Sequence, residues 1–232
     1  MRKKILLGLL ALVLVAGLYV YAHADEAGKA EFWESAIVDF EEADAVQPPG
    51  PGRIVFTGSS SIRFWGSLEE DMAPLSVLNR GFGGAHMAHV VHFADRIIAP
   101  YAPRALVVYV GDNDIAAGKT PETVVDDFEA LVALARADRP TLPIYYITIK
   151  PSRSRWALWP TMAEANARIA ARAAADPHMH VLDVATPMLA LGQGEAPPSD
   201  LFWIDGLHLT EKGYALWTEV VRARLLADLG DL

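Results

Sequence analysis

Three serines in a row, Ser59, Ser60 and Ser61, follow the apolar run RIVF and a Thr57-Gly58 step. A serine hydroxyl becomes a nucleophile only when a base takes its proton, usually an imidazole held in one tautomer by a carboxylate. Asp205 and His208 offer that pair in Asp205-Gly206-Leu207-His208, close enough in sequence for the carboxylate to fold back onto the ring. Acyl transfer to a serine also needs donors for the developing oxyanion. Gly84, in RGFGG, can turn a backbone N–H toward a site, and Asn113, between Asp112 and Asp114, carries an amide NH2. Each residue also has an ordinary reading. Serine runs make turns, Asp205 can cap the next helix with His208 on the surface, Gly81 to Gly84 can be a strand-to-helix turn, and Asn113 can be a turn residue.

What would bring such distant residues together is the order of elements. Short apolar runs (RIVFTG, LSVLNRG, RALVVYVG, LPIYYITIK, MHVLDV) alternate with longer amphipathic segments such as AHMAHVVHFADRIIA, ETVVDDFEALVALARA and PTMAEANARIAARAAA, and a last helix is expected from about Thr210 to Leu229. Five strands alternating with helices imply a three-layer α/β/α sandwich around a five-stranded parallel sheet, a flavodoxin-like arrangement. Ligands of open sheets bind at the carboxyl ends of the strands. The serine, glycine and asparagine loops each follow a strand, and the Asp205–His208 segment opens the last helix, so all four are expected at one edge of the sheet.

Taken in this order, FTGSSSIRFW, VLNRGFGG, VVYVGDNDIAAG and WIDGLHLTEKGYALW resemble the SGNH-hydrolase superfamily, the GDSL esterases and lipases, and within it the platelet-activating-factor acetylhydrolase-like branch. The resemblance runs from about Arg53 to Trp217. It implies that Ser60 attacks, that His208 and Asp205 are base and orienter, and that the Ser60 and Gly84 N–H groups and the Asn113 amide form the oxyanion hole. It also implies carboxylic ester substrates, whether small-molecule, lipid or carbohydrate, and no cofactor. One departure is plain: Ser59 stands where the family motif has Asp. Ser61 remains an alternative nucleophile. The G-x-S-x-G elbow of α/β-hydrolases is not met, since Ile62 occupies the last glycine position.

Composition narrows the function classes. The 232 residues are 52% hydrophobic and 21% charged, enough for one domain with a full core. A net charge of -9 with no basic cluster beyond the N-terminus argues against nucleic-acid binding. The absence of cysteine excludes disulfides and thiolate metal sites. Residues 1–24 read either as a cleaved signal peptide ending at Ala24 or as an uncleaved membrane anchor through residues 5–22, because Arg2, Lys3 and Lys4 precede the apolar run Ile5 to Ala22. Either way the rest of the chain is expected outside the cytoplasm. Residues 25–52 are expected to be a helix with apolar spacing at Phe32, Trp33, Ile37 and Phe40, followed by the QPPGPG linker, and residues 53–232 the catalytic domain.

Other signals compete with this reading. His86, His89 and His92 are spaced by three, but on a helix the third drifts round the axis, which favours a polar surface over a metal site. Arg63 and Trp65, Trp203, and the loop KPSRSRWALWP with Trp156 and Trp159 either contact substrate or pack against the domain. A binding module without turnover is the reading from another class, disfavoured because both Ser60 and His208 are present.

Overall fold

The computed structural model describes residues 29–230; the expected signal peptide or anchor lies outside them. Among the described residues no helix is long and apolar enough to cross a membrane. A short 3-10 turn, Ala30–Trp33, leads into helix α1, Glu34–Val46, and the Pro/Gly linker then delivers the chain to β1, Ile54–Gly58. Next come the one-turn helices α2, Ser60–Arg63, and α3, Leu68–Asp71, then β2, Val77–Gly81. The segment expected as one helix over residues 85–99 is instead split at Phe93 into α4, Met87–His92, and α5, Ala94–Ile97. Strand β3, Ala105–Tyr109, is followed by α6, Asp112–Ala116, and α7, Pro121–Ala135. Strand β4, Ile144–Ile147, leads to α8, Trp159–Ala174, and β5, Met179–Leu182, to α9, Ala185–Gly192, and α10, Glu211–Leu229.

The five strands are parallel, in the order β2-β1-β3-β4-β5. Their apolar runs are continuous because both faces of the sheet are covered. Successive side chains point to opposite faces: Val55, Leu106, Val108 and Tyr146 enter the core shared with α1, α4, α7 and α8, whereas Phe56, Val107, Tyr109 and Tyr145 enter the one under α2, α3, α9 and α10. The expected sandwich is therefore the fold. Chain order reverses between β1 and β3, the strands that precede Ser60 and Asn113, and such a switch point opens a crevice at the carboxyl edge.

Helix α1 belongs to the same body. Ile37 is fully buried in the first core, Arg96 holds Glu34 at 2.8 Å and Glu41 at 2.7 Å, and Arg80 pairs with Asp44. Two threonines start the long helices on either side of the site: Thr120 accepts from the Thr123 N–H, and Thr210 from the Gly213 N–H, each at 3.3 Å. Thr210, rather than Asp205, is thus the cap of α10.

Candidate active site

Strand β1 ends in a tight turn at Gly58, whose φ of +132° is open only to glycine. A Cβ there would stand 1.8 Å from the Tyr109 carbonyl oxygen, the same oxygen that accepts the Ser59 N–H at 2.9 Å. This turn sorts the three serines. Ser59 and Ser61 are each 1% exposed, and their hydroxyls find no hydrogen-bond partner among the described residues. Ser60 is the first residue of α2, so its N–H has no carbonyl one turn back to bond. It faces an open cavity of about 420 Å³ that also meets Arg63, Gly84, Asn113, Arg155 and His208.

Ser60 Oγ lies 2.9 Å from His208 Nε2, and His208 Nδ1 lies 2.6 Å from Asp205 Oδ2. In this arrangement Nδ1–H donates to the carboxylate and Nε2 is free to accept from the hydroxyl. The imidazole is held by the fold around it. Asp205 Oδ1 accepts the Leu207 and His208 N–H groups at 2.8 and 3.0 Å. The Gly206 carbonyl accepts from both the N–H and the hydroxyl of Ser154, the Trp203 indole donates to the Leu209 carbonyl, and Phe64 meets the His208 ring edge-on with centroids 5.1 Å apart. Burial pushes the Asp205 carboxyl up, but the Leu207 N–H and the His208 side chain and N–H outweigh it and hold its pKa below the ordinary carboxylate value. It stays ionised at neutral pH.

Opposite Ser60, Gly84 adopts φ +74° at the turn into α4. Asn113 Nδ2 donates to the Ala85 carbonyl at 3.0 Å, which spends one of its two amide protons and leaves the other for the cavity. Each residue around it in Gly111-Asp112-Asn113-Asp114 has its own anchor. Asp114, fully buried, accepts the Met87 N–H at 3.1 Å and the Lys119 ammonium at 2.8 Å, fixing the Gly84 turn to the Asn113 helix. Asp112 lies 3.2 Å from both Lys150 Nζ and Arg155 Nη1 and accepts the Tyr109 hydroxyl at 3.3 Å. Burial pushes the Asp112 carboxyl up, yet the two cations prevail and keep it below its usual range, whereas burial lowers the Lys150 ammonium against the pull of Asp112.

The sequence did not single out this buried network, nor its consequence: Arg155 Nη2 donates to Asn113 Oδ1 at 2.9 Å. Lys150 is 1% exposed, so removing it leaves a buried carboxylate one cation short. Lys150→Met is expected to cost about 3 kcal/mol, read as a fall in Tm of about 6–12 °C. A thermal melt at the wild-type temperature would remove the network from any structural role.

Trp33 was noted only for its helical spacing. It lines the Ser60 cavity, sits against the Gly84 turn, and donates from its indole to His89 Nδ1 at 3.1 Å. That nitrogen also accepts the His86 N–H at 3.1 Å. His89 is buried, His86 is half-buried and stacked on it, and His92 is exposed; among the described residues no group of side chains is arranged to hold a metal ion. Trp65 is buried against Tyr214 and Trp217, and Trp159 packs onto the first core. Trp156 is half-buried in the loop before α8. Trp203 and Ile204 are exposed and, with Phe64, form the apolar part of a hollow on the other side of His208 that Asp205 also lines.

The family model of the GDSL-like lipase/acylhydrolase family matches residues 50–216, and the chain belongs to that family. It is thereby a member of the SGNH-hydrolase superfamily, and the membership supports an esterase or hydrolase function. Among solved structures, a protein of Streptococcus pneumonia described provisionally as a platelet activating factor is 19% identical with a TM-score of 0.76, covering 89% of this chain and 99% of that one. A GDSL-like lipase of Bacteroides thetaiotaomicron is 18% identical with a TM-score of 0.72, covering 83% and 98%. A member of the lipolytic G-D-S-L family from Veillonella parvula is 17% identical with a TM-score of 0.63, covering 78% and 99%. These likenesses concern the fold. No match was found among curated proteins.

Proposed function

We propose that the protein is a serine esterase that cleaves carboxylic esters through an acyl-enzyme on Ser60. The observation that carries the reading is the continuous chain from Ser60 Oγ to His208 Nε2 at 2.9 Å and from His208 Nδ1 to Asp205 at 2.6 Å, in a family of acylhydrolases. His208 takes the Ser60 proton as Oγ attacks the ester carbonyl. The carbonyl oxygen becomes an oxyanion between the Ser60 and Gly84 N–H groups and the remaining Asn113 amide proton. As the tetrahedral species collapses, the ester C–O bond breaks and His208 gives its proton to the departing alkoxide. Water, deprotonated by the same imidazole, then attacks the acyl-enzyme and releases the acid with Ser60 restored. Asp205 holds the imidazole tautomer and stabilises the transient imidazolium. The basic start and apolar run of residues 2–22 support an exported protein that acts on esters outside the cytoplasm.

Arg155 acts here through Asn113. By holding Oδ1 it fixes which way the amide faces and draws electron density toward the oxygen, making the amide proton a better donor. The test is a double-mutant cycle on a p-nitrophenyl ester of short acyl chain. Asn113→Ala is expected to lower kcat by about 100- to 1,000-fold. Arg155→Ala is expected to lower it by about tenfold, the equivalent of ~1.4 kcal/mol, with KM little changed. In the Asn113→Ala background the Arg155 change should add almost nothing. Undiminished turnover by Asn113→Ala would take the amide out of the oxyanion site, and full additivity would separate Arg155 from it.

A further inference from the structure

The cavity that holds Ser60 and His208 has a charge opposite to that of the whole protein. The chain carries a net charge of -9, yet two guanidiniums, Arg63 and Arg155, line this cavity and no carboxylate does among the described residues. The two cations differ in what they hold. Arg155 is committed to Asp112 and Asn113. The Arg63 side chain makes no hydrogen bond or ion pair within the described residues; its guanidinium lies over the Phe64 ring, 5.7 Å from the centroid. Elsewhere Arg53, Arg96, Arg168, Arg172 and Arg224 each hold a carboxylate.

Arg63 is also well placed to reach a substrate on Ser60. The two residues open and close the single turn of α2, and the three-residue spacing sets their side chains on one side of it, with Cβ atoms roughly 5–6 Å apart. Arg63 Nη1 lies 2.9 Å from where a Cβ on Gly83 would stand, so the glycine gives the guanidinium room against the Gly83–Gly84 backbone. On the other side of His208 the hollow of Phe64, Trp203 and Ile204 is lined by the Asp205 carboxylate and, among the described residues, by no lysine or arginine, so the two sides of the scissile centre differ in what they can receive. An unneutralised guanidinium in a cleft takes a carboxylate or phosphate through paired N–H donors.

We infer that Arg63 determines specificity and that the natural ester carries an anionic group, a carboxylate or a phosphate, a few atoms from the scissile carbonyl. The inference rests on Ser60 as the nucleophile. It is tested with matched esters: 4-nitrophenyl hexanoate against the 4-nitrophenyl monoester of adipate, with the charge on the acyl side, and 3-acetoxypropanol against 3-acetoxypropyl phosphate, with the charge on the alcohol side. The protein is expected to favour the anionic member of at least one pair by about tenfold in kcat/KM. Arg63→Ala should erase that preference and Arg63→Glu should invert it, and 1 M salt should weaken it in the wild type. Equal rates within both pairs, or a ratio unmoved by either substitution, would overturn the inference. Calorimetric binding of adipate and of 3-hydroxypropyl phosphate tests it without turnover: binding of one should weaken by about tenfold in Arg63→Ala, and equal binding of both to wild type and variant would overturn it. Loss of all turnover with anion binding intact would count against the Ser60 reading alone.

Discussion

Replacing Ser60 by alanine is expected to lower kcat on a short-chain ester by about 10⁴-fold or more while leaving the fold intact. Such a loss corresponds to roughly 5.5 kcal/mol of transition-state stabilisation, because without the hydroxyl no covalent step remains and only the oxyanion donors and the binding surface act. The structural cost is small, since Ser60 lies at the cavity edge and, among the described residues, its hydroxyl bonds only to His208. Circular dichroism and Tm should therefore match wild type. Ser61→Ala, by contrast, alters a hydroxyl that is buried and 1% exposed, and should leave kcat within a few-fold. A variant at position 60 that kept wild-type turnover would end the role of this residue.

Gly58→Ala is expected to have the largest effect on stability. A positive φ of +132° disfavours any side chain, and the new methyl would overlap the Tyr109 carbonyl oxygen at 1.8 Å, backbone against backbone in the middle of the sheet. Strain and overpacking together cost about 4 kcal/mol or more, a large share of the ~5–15 kcal/mol that stabilises a domain. The expected observation is a Tm lowered by about 8–16 °C or failure to accumulate soluble protein. Gly118→Ala separates the two causes: its φ is also positive at +86°, but nothing lies within 4 Å of the added carbon. It should cost only about 1 kcal/mol. Equal stability of the Gly58 and Gly118 variants would show that the close approach at β1 is not limiting.

The architecture was legible because parallel strands covered on both faces leave an unmistakable trace. The runs IVF, ALVVY and IYYI are apolar without interruption, and the loops after β1, β2 and β3 carry the unusual residue types. The same ordering brought Ser60, Gly84, Asn113 and His208 to one cavity, with Asp205 on His208. Finer features were not legible, each for a physical reason. A periodicity that reads through residues 85–99 cannot reveal that the backbone leaves helical geometry at Phe93, where ψ is near 8°. Helix α9 is only eight residues long and begins just two residues after β5, too short a segment for its apolar spacing to mark a helix.

The buried Lys150 ran against the rule that lysine stays at the surface. Its burial depends on Asp112, thirty-eight residues away in sequence and adjacent only after folding. Arg155 lies in the loop KPSRSRWALWP, where nothing local says that it reaches Asn113. Trp33 lies outside the family-matched residues 50–216, yet it walls the same cavity. A periodic aromatic in an N-terminal helix was the available signal, and it pointed only to packing.

One measurement bears most directly on the whole account: treating the protein with a fluorophosphonate, which reacts only with an activated serine, and locating the adduct by peptide mass spectrometry. The account predicts one adduct per chain, on Ser60, lost in Ser60→Ala and strongly slowed in His208→Ala. An adduct on Ser59 or Ser61, or no adduct on the folded wild-type chain, would contradict it.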